Sequence, residues 1–141
     1  MTADCLFCGI VRGEVEASFV HRDEQVVAFL DVHPVRPGHL LVAPVAHHAG
    51  VTDLPEGTGA HLWSVARRLA VLVARLPGTE GINLLMSQGT AAQQSVPHSH
   101  LHVIPRAPED GMTLASPPRP YDRTALDEVA AQLRHSWKEG S

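Results

Sequence analysis

The apolar positions along the chain change period several times, and each change marks an element. Residues 18 to 22 (SFVHR) and 25 to 30 (QVVAFL) are short runs rich in β-branched and aromatic side chains. Asp23 and Glu24 separate them, which predicts a hairpin. DVHPVRPGH, residues 31 to 39, carries two prolines and a glycine and predicts a loop. HLLVAP, residues 39 to 44, is apolar enough for a strand covered on both faces or central in its sheet. Between residues 56 and 76 the period lengthens. Leu62, Val65, Ala66, Leu69, Leu72, Val73 and Leu76 make one helical stripe, which Pro77 and Gly78 end. That stripe is core packing, not a site. GINLLM, residues 81 to 86, predicts a fourth strand and residues 98 to 104 a fifth. Residues 5 to 13 read as a short helical turn, 107 to 121 as an irregular Pro-rich segment, and 123 to 137 as a C-terminal helix. Short strands with hairpin-length links and one long inserted helix predict an antiparallel five-stranded α+β fold, with residues 1–141 as one domain.

Composition narrows the function classes. Apolar residues make up 44% and charged residues 18%, the balance of a globular chain with a real core. No segment approaches a membrane span and the N-terminus lacks the pattern of a leader, so a cytoplasmic protein is expected. A net charge of −4 argues against a nucleic-acid polymer as partner, while a local cluster of dipoles and Arg can still bind small anions. Lys138 is the only lysine, which excludes a GK[ST] phosphate loop and a Schiff-base lysine in the folded body. Cys5 and Cys8, in C-L-F-C, suggest half a zinc site or a redox pair.

The richest chemistry lies in SVPHSHLHVIPR, residues 95 to 106, where His98, His100 and His102 alternate. On a strand they project from one face, about 6 to 7 Å apart. Three histidines on one straight strand diverge too far for a single tetrahedral ion, so two of them is the realistic maximum. No G-x-S-x-G elbow exists, and Glu80 is the only acidic residue between Gly57 and Pro108, which disfavours a serine hydrolase. Histidine itself remains as nucleophile at phosphorus or carbon, provided its attacking nitrogen is unprotonated and the other ring nitrogen finds an acceptor.

CLFCGIVRGEV, AFLDVHPVRPGHLLVAP and QSVPHSHLHVIPR, in that order, resemble the histidine triad (HIT) family, whose signature is His-apolar-His-apolar-His-apolar-apolar. Ser99 is polar where the family is usually apolar. The resemblance covers nearly the whole chain and implies a nucleotide hydrolase or transferase acting at the α-phosphate. Its purine nucleotide substrates would be adenosine phosphoramidates or related AMP derivatives, with dinucleoside polyphosphate hydrolysis as the alternative. By motif position His100 is the nucleophile, forming a nucleotidyl-histidine intermediate, and the carbonyl of His98 holds its tautomer. His102 and His39 would contact phosphate or aid proton transfer to the leaving group. Gln94 and Ser95 match phosphate-contacting positions and Asp31 the acid that accepts ribose hydroxyls. Phe7, Ile10, Phe29, Leu30 and Val32 match the base pocket.

Two departures qualify the transfer. The usual N-x-G is Ser87-Gln88-Gly89 and the usual A-G-Q is Ala92-Gln93-Gln94. Ser87 keeps one hydrogen-bonding function where an amide has two. Gln93 in place of glycine is expected to narrow the phosphate loop or change its backbone angles. These departures also keep open a nucleotide-binding or scaffold protein without turnover. The resemblance further implies a structural zinc on Cys5, Cys8, His47 and His98, with His48 as the alternative to His47, and a homodimer.

Overall fold

The computed structural model describes residues 4–140. The first element is a helical turn and a half, α1 (Leu6–Val11), capped by the Cys5 side chain: the Cys8 N–H points at Cys5 Sγ across 3.4 Å. The predicted hairpin forms as β1 (Phe19–Arg22) and β2 (Val26–Leu30). Asp23 makes the turn, its Oδ1 accepting from the N–H groups of Gln25 and Val26 at 2.8 and 2.9 Å. Its Oδ2 meets the Nε2 atoms of both His21 and His61, 2.7 Å each. Burial alone would raise the Asp23 pKa; these two imidazoles and the turn N–H groups hold it well below the carboxylate range instead.

β3 (Leu40–Pro44), α2 (Glu56–Val73), β4 (Gly81–Met86), β5 (Leu101–Arg106) and α3 (Arg123–Lys138) complete the fold. The strands form one antiparallel sheet in the order β1-β2-β3-β5-β4. The α+β architecture with a five-stranded sheet and one long helix therefore stands as the pattern predicts. Helix α2 lies on one face, where Leu62, Val65, Ala66, Leu69 and Val73 pack against Val26, Ala28, Leu40, Val42, Leu101 and Val103. On the other face, Phe7 and Ile10 of α1 pack against Val27, Phe29, Leu41 and Ala43. Alternate residues of β2 and β3 thus enter different layers, which is why both strands read as continuously apolar.

Several boundaries differ from those the pattern predicts. The long helix ends at Val73, and Leu76 N–H bonds the Val73 carbonyl in a tighter turn beyond it. Two residues of the stripe are exposed, Leu72 within the helix at 56% and Leu76 beyond its end at 38%. The first strand begins at Phe19 and the second at Val26, one residue late in each case.

One further difference matters for chemistry. β5 begins at Leu101, not at residue 98. β3 and β5 pair Leu40 with Val103 and Val42 with Leu101, so one more pair of ladder bonds would set Pro44 opposite Ser99. Proline has no N–H to give, and the ladder stops. The Ser99 N–H bonds the His48 carbonyl (2.6 Å) and the His98 N–H the Val96 carbonyl (2.8 Å). His98 and His100 therefore sit in the irregular lead-in to β5, while His102 is its second residue. The alternation survives: Leu101 and Val103 face α2, and the histidines face the α1 side.

Candidate active and metal sites

At the N-terminal helix, four ligand-type side chains converge. Cys5 Sγ lies 3.4 Å and Cys8 Sγ 3.6 Å from His98 Nδ1, and Cys8 Sγ lies 3.5 Å from His47 Nδ1. Metal–ligand bonds of about 2.3 Å to sulfur and 2.0 to 2.1 Å to nitrogen give a tetrahedron whose S···N edges are about 3.5 Å. All four ligand atoms lie within 4.8 Å of one another. The His98 tautomer also fits. Its Nε2–H donates to the Pro44 carbonyl at 2.8 Å, leaving the Nδ1 lone pair directed at the thiols. Burial pushes the His98 pKa down, with the Pro44 carbonyl opposing, so the ring is the neutral ligand form. Burial pushes the Cys5 thiol up, and a divalent cation at the centre reverses that balance. The residues present suit zinc. His47, not His48, completes the group.

Beside it, on the same side of the sheet, the other histidines are linked through backbone and ring hydrogen bonds. His100 Nδ1–H donates to the His98 carbonyl at 2.7 Å. That bond fixes the tautomer and leaves Nε2 as the lone-pair nitrogen. Its ring lies edge-on to Phe7, with centroids 4.9 Å apart, and equally 4.9 Å from His102. His39, at the end of the Pro-Gly loop, places Nε2 2.9 Å from His102 Nδ1. Asp31 Oδ2 stands 3.4 Å from His39 Nε2 and 4.0 Å from His102 Nδ1, and Asp31 Oδ1 accepts the His33 N–H at 2.8 Å. Burial lowers the pKa of His39, His100 and His102, the last to about 4, while the Asp31 carboxylate pulls each upward. Asp31, His39 and His102 are near enough to suggest a second metal site. His39 Nδ1, however, accepts the Val35 N–H at 3.0 Å, so its one ring proton must sit on Nε2 and that nitrogen has no lone pair for a metal.

His100 and His102 open on a cleft of ≈ 150 Å³. Phe7, Ile10, Phe29, Leu30, Val32, Asp31 and Ser95 all line it, so the fold gathers these residues of the sequence reading in one place. Leu6, Ala17, His33, Leu41 and Val96 line it as well and carry no motif that singles them out. Glu16 does too, and a lone exposed acid gives no signal in one sequence.

Ser87 and Gln94 are not among the lining residues. Gln94 is occupied by the loop it belongs to: its Oε1 accepts the Gly89 N–H at 2.8 Å and its Nε2 donates to the Ala49 and Val96 carbonyls at 2.7 and 3.0 Å. Gln88, which no motif singles out, clasps Thr52 through the Thr52 backbone N–H and hydroxyl. Gln93 does not change the backbone angles that glycine would supply. It adopts them itself, at φ 66° and ψ 28°.

An antiparallel sheet backed by one long helix, with alternating histidines leading into β5 beside a cleft walled mainly by apolar side chains, defines a histidine-centred α+β domain. Residues 12–109 match the HIT domain, and the chain belongs to the histidine triad family. An uncharacterised HIT-like protein of Methanocaldococcus jannaschii is 36% identical over 130 residues, 92% of this chain and 98% of that one. The adenylylsulfatase HINT3 of Arabidopsis thaliana is 32% identical over 92% of this chain and 66% of its own. An adenosine 5'-monophosphoramidase of Candida albicans is 28% identical over 94% and 90%. Among solved structures, a HIT family protein from Bacillus anthracis superposes with TM-score 0.87 at 34% identity, covering 96% of this chain and 99% of that one. A Zn-bound histidine triad protein from Mycobacterium smegmatis gives 0.71 at 35%, covering 94% and 97%.

Proposed function

We propose that this protein is a nucleotide hydrolase or transferase that cleaves AMP phosphoramidates or related AMP derivatives at the α-phosphate, with His100 as nucleophile. One observation carries the reading: the 2.7 Å bond from His100 Nδ1–H to the His98 carbonyl, which leaves Nε2 as the free nucleophilic nitrogen of a residue lining the cleft. Depressed basicity keeps that nitrogen unprotonated at neutral pH. The apolar walls suit a purine, Asp31 suits the ribose hydroxyls, and Ser95 the phosphate oxygens. Attack by Nε2 on phosphorus would expel the leaving group and form a nucleotidyl-histidine, which water then cleaves. Named relatives that act on adenylylsulfate and adenosine 5'-monophosphoramide support an AMP-type substrate.

Cys5, Cys8, His47 and His98 would hold a structural zinc, supported by their edge lengths and by the Zn-bound relative. Zinc there supplies folding stability and charge, not bond cleavage. The reading includes a single HIT domain and a cytoplasmic setting that keeps both thiols reduced. It also includes a homodimer, for which the outer edge of β4, paired only with β5 here, offers a free sheet edge. No helix among the described residues is long and apolar enough to cross a membrane.

Brief incubation with adenosine 5'-phosphoramidate followed by intact-mass measurement should reveal an acid-labile adenylyl adduct that His100→Ala lacks. Nucleotide binding with neither adduct nor turnover overturns the enzyme reading in favour of a binding protein.

A further inference from the structure

One apolar surface lies apart from both centres. Between the flank of α2 and the sheet edge at β1 runs a groove of ≈ 550 Å³, within the roughly 300 to 1,000 Å³ of small-molecule sites. The helix and the turn beyond it contribute Leu72 and Leu76, the strands Val20 and Leu30, and all four side chains are exposed. Large apolar side chains gathered in one concavity mark a binding surface, unlike ones scattered singly. The groove shares only Leu30 with the histidine cleft, so it does not depend on the nucleotide reading.

The groove is polar at one end. Arg36 is its only charged lining residue and lies at the Pro77 end, half-buried. Its Nε is buried with no hydrogen-bond partner among the described residues, and Nη2 reaches only the Pro77 carbonyl, at a long 3.4 Å. Thr79 Oγ1, two residues past Pro77, is likewise buried and unpartnered. Gly78 stands between them at φ +77°, and a Cβ there would come within 2.8 Å of Arg36 Nη2, so this turn is shaped to admit the guanidinium. Donors withdrawn from water and left unmatched call for an acceptor. Charge says the same. The hollow that shares Val20, Leu69 and Leu72 with the groove adds Arg67 and Arg68, and no carboxylate among the described residues lines either. In a chain of net charge −4, this flank is locally cationic.

We infer that the groove binds an aliphatic monocarboxylate of medium chain length, its head on the Arg36 guanidinium and its chain along Leu76 and Leu72. A guanidinium gives a carboxylate two parallel N–H bonds, and each methylene gains by leaving water. Helix α3 is the rival occupant, since its stripe of Leu126, Val129, Leu133 and Trp137 is exposed. It brings no free acid to Arg36. Asp122, at the start of the stripe, already accepts the Thr124 N–H; Asp127, Glu128 and Glu139 fall off the stripe by helical period, and Lys138 follows Trp137.

Calorimetric titration of the full-length protein with octanoate tests the site. One equivalent per chain is expected. Each methylene removed, through hexanoate to butanoate, should weaken binding about fourfold. 1-Octanol, which keeps the chain and loses the charge, should bind at least about 10-fold more weakly, and octanoate should lose as much in Arg36→Gln. Arg68→Gln, which removes an exposed charge of the adjoining hollow, should stay within about 3-fold of wild type. Leu72→Glu changes an exposed position and sets a carboxylate against the chain, so it should abolish binding while circular dichroism stays that of the folded protein. Equal binding of octanoate and octanol, or wild-type binding by Arg36→Gln, overturns the proposal. So does the absence of saturable octanoate binding, and self-association that Leu72→Glu abolishes would then give the groove to α3 of a second copy.

Discussion

The main-chain carbonyl of His98 holds the His100 ring at 2.7 Å while the His98 ring itself turns toward the sulfurs of Cys5 and Cys8 at 3.4 and 3.6 Å. One residue therefore touches both centres, through different atoms.

Removing its side chain should separate them. His98→Ala leaves the carbonyl that orients His100 but removes one of the four ligands. Metal content is expected to fall from about one equivalent per chain to none. Stability should drop by about 4 kcal/mol where free zinc exceeds its Kd a thousandfold. Adduct formation should persist at reduced rate in whatever fraction stays folded. His100→Ala should show the reverse pattern, with full metal content and no adduct. Elemental analysis and intact mass distinguish the two, and a His98→Ala protein that retains zinc would refute the ligand assignment.

The depressed basicity of His102 makes stability pH-dependent in a fixed direction. Its pKa lies at about 4 in the fold, against about 6.5 when unfolded. The unfolded chain binds more protons between these values, so the stabilisation is complete above pH 6.5 and is lost as pH falls toward 4. The full effect is about 3 kcal/mol. Urea midpoints for wild type and His102→Gln, measured from pH 7.5 to 4.5, should converge on the acid side. Parallel curves would show that His102 does not titrate this way.

Gly38 has φ +99°, and a Cβ added there would meet the Leu76 side chain. Gly38→Ala should therefore cost about 1 to 3 kcal/mol. Because His39 follows immediately, adenylyl transfer should slow more than the change in nucleotide affinity predicts. A variant with unchanged kinetics would argue that the loop does not position His39.

Gln93 holds a left-handed backbone, φ 66°, that glycine occupies without penalty. Gln93→Gly is expected to stabilise the protein by about 1 kcal/mol, less the added freedom of the unfolded chain. Thermal unfolding should show an upward shift of a few degrees. No shift would mean that the Gln93 side chain returns as much as its backbone costs.

The division into layers was legible because it rests on period. The α2 stripe, the apolar β3 and the turn at Asp23 each carry a local signal, and β1 to β4 emerge within a residue of expectation. What escaped was set by partners distant in sequence. The late start of β5 depends on Pro44 standing across the ladder, and the engagement of Gln94 depends on Gly89 and Ala49. The role of Val35 was invisible for another reason: its contribution is an amide, which every residue but proline owns. Motif positions brought Asp31, Ser95 and the five apolar residues to one cleft, whereas Gln94, matched by motif in the same way, is held by Gly89, Ala49 and Val96 and does not line it.

β5 carries Leu101 and Val103 toward α2 and His102 toward the cleft. A strand has only two sides, so its register works like a reading frame. Deleting one residue between His98 and His102 would be a frameshift in space: leucine and valine would turn into the cleft and an imidazole into the layer packed against α2. In this stretch, length is under tighter constraint than the identity of any single apolar residue.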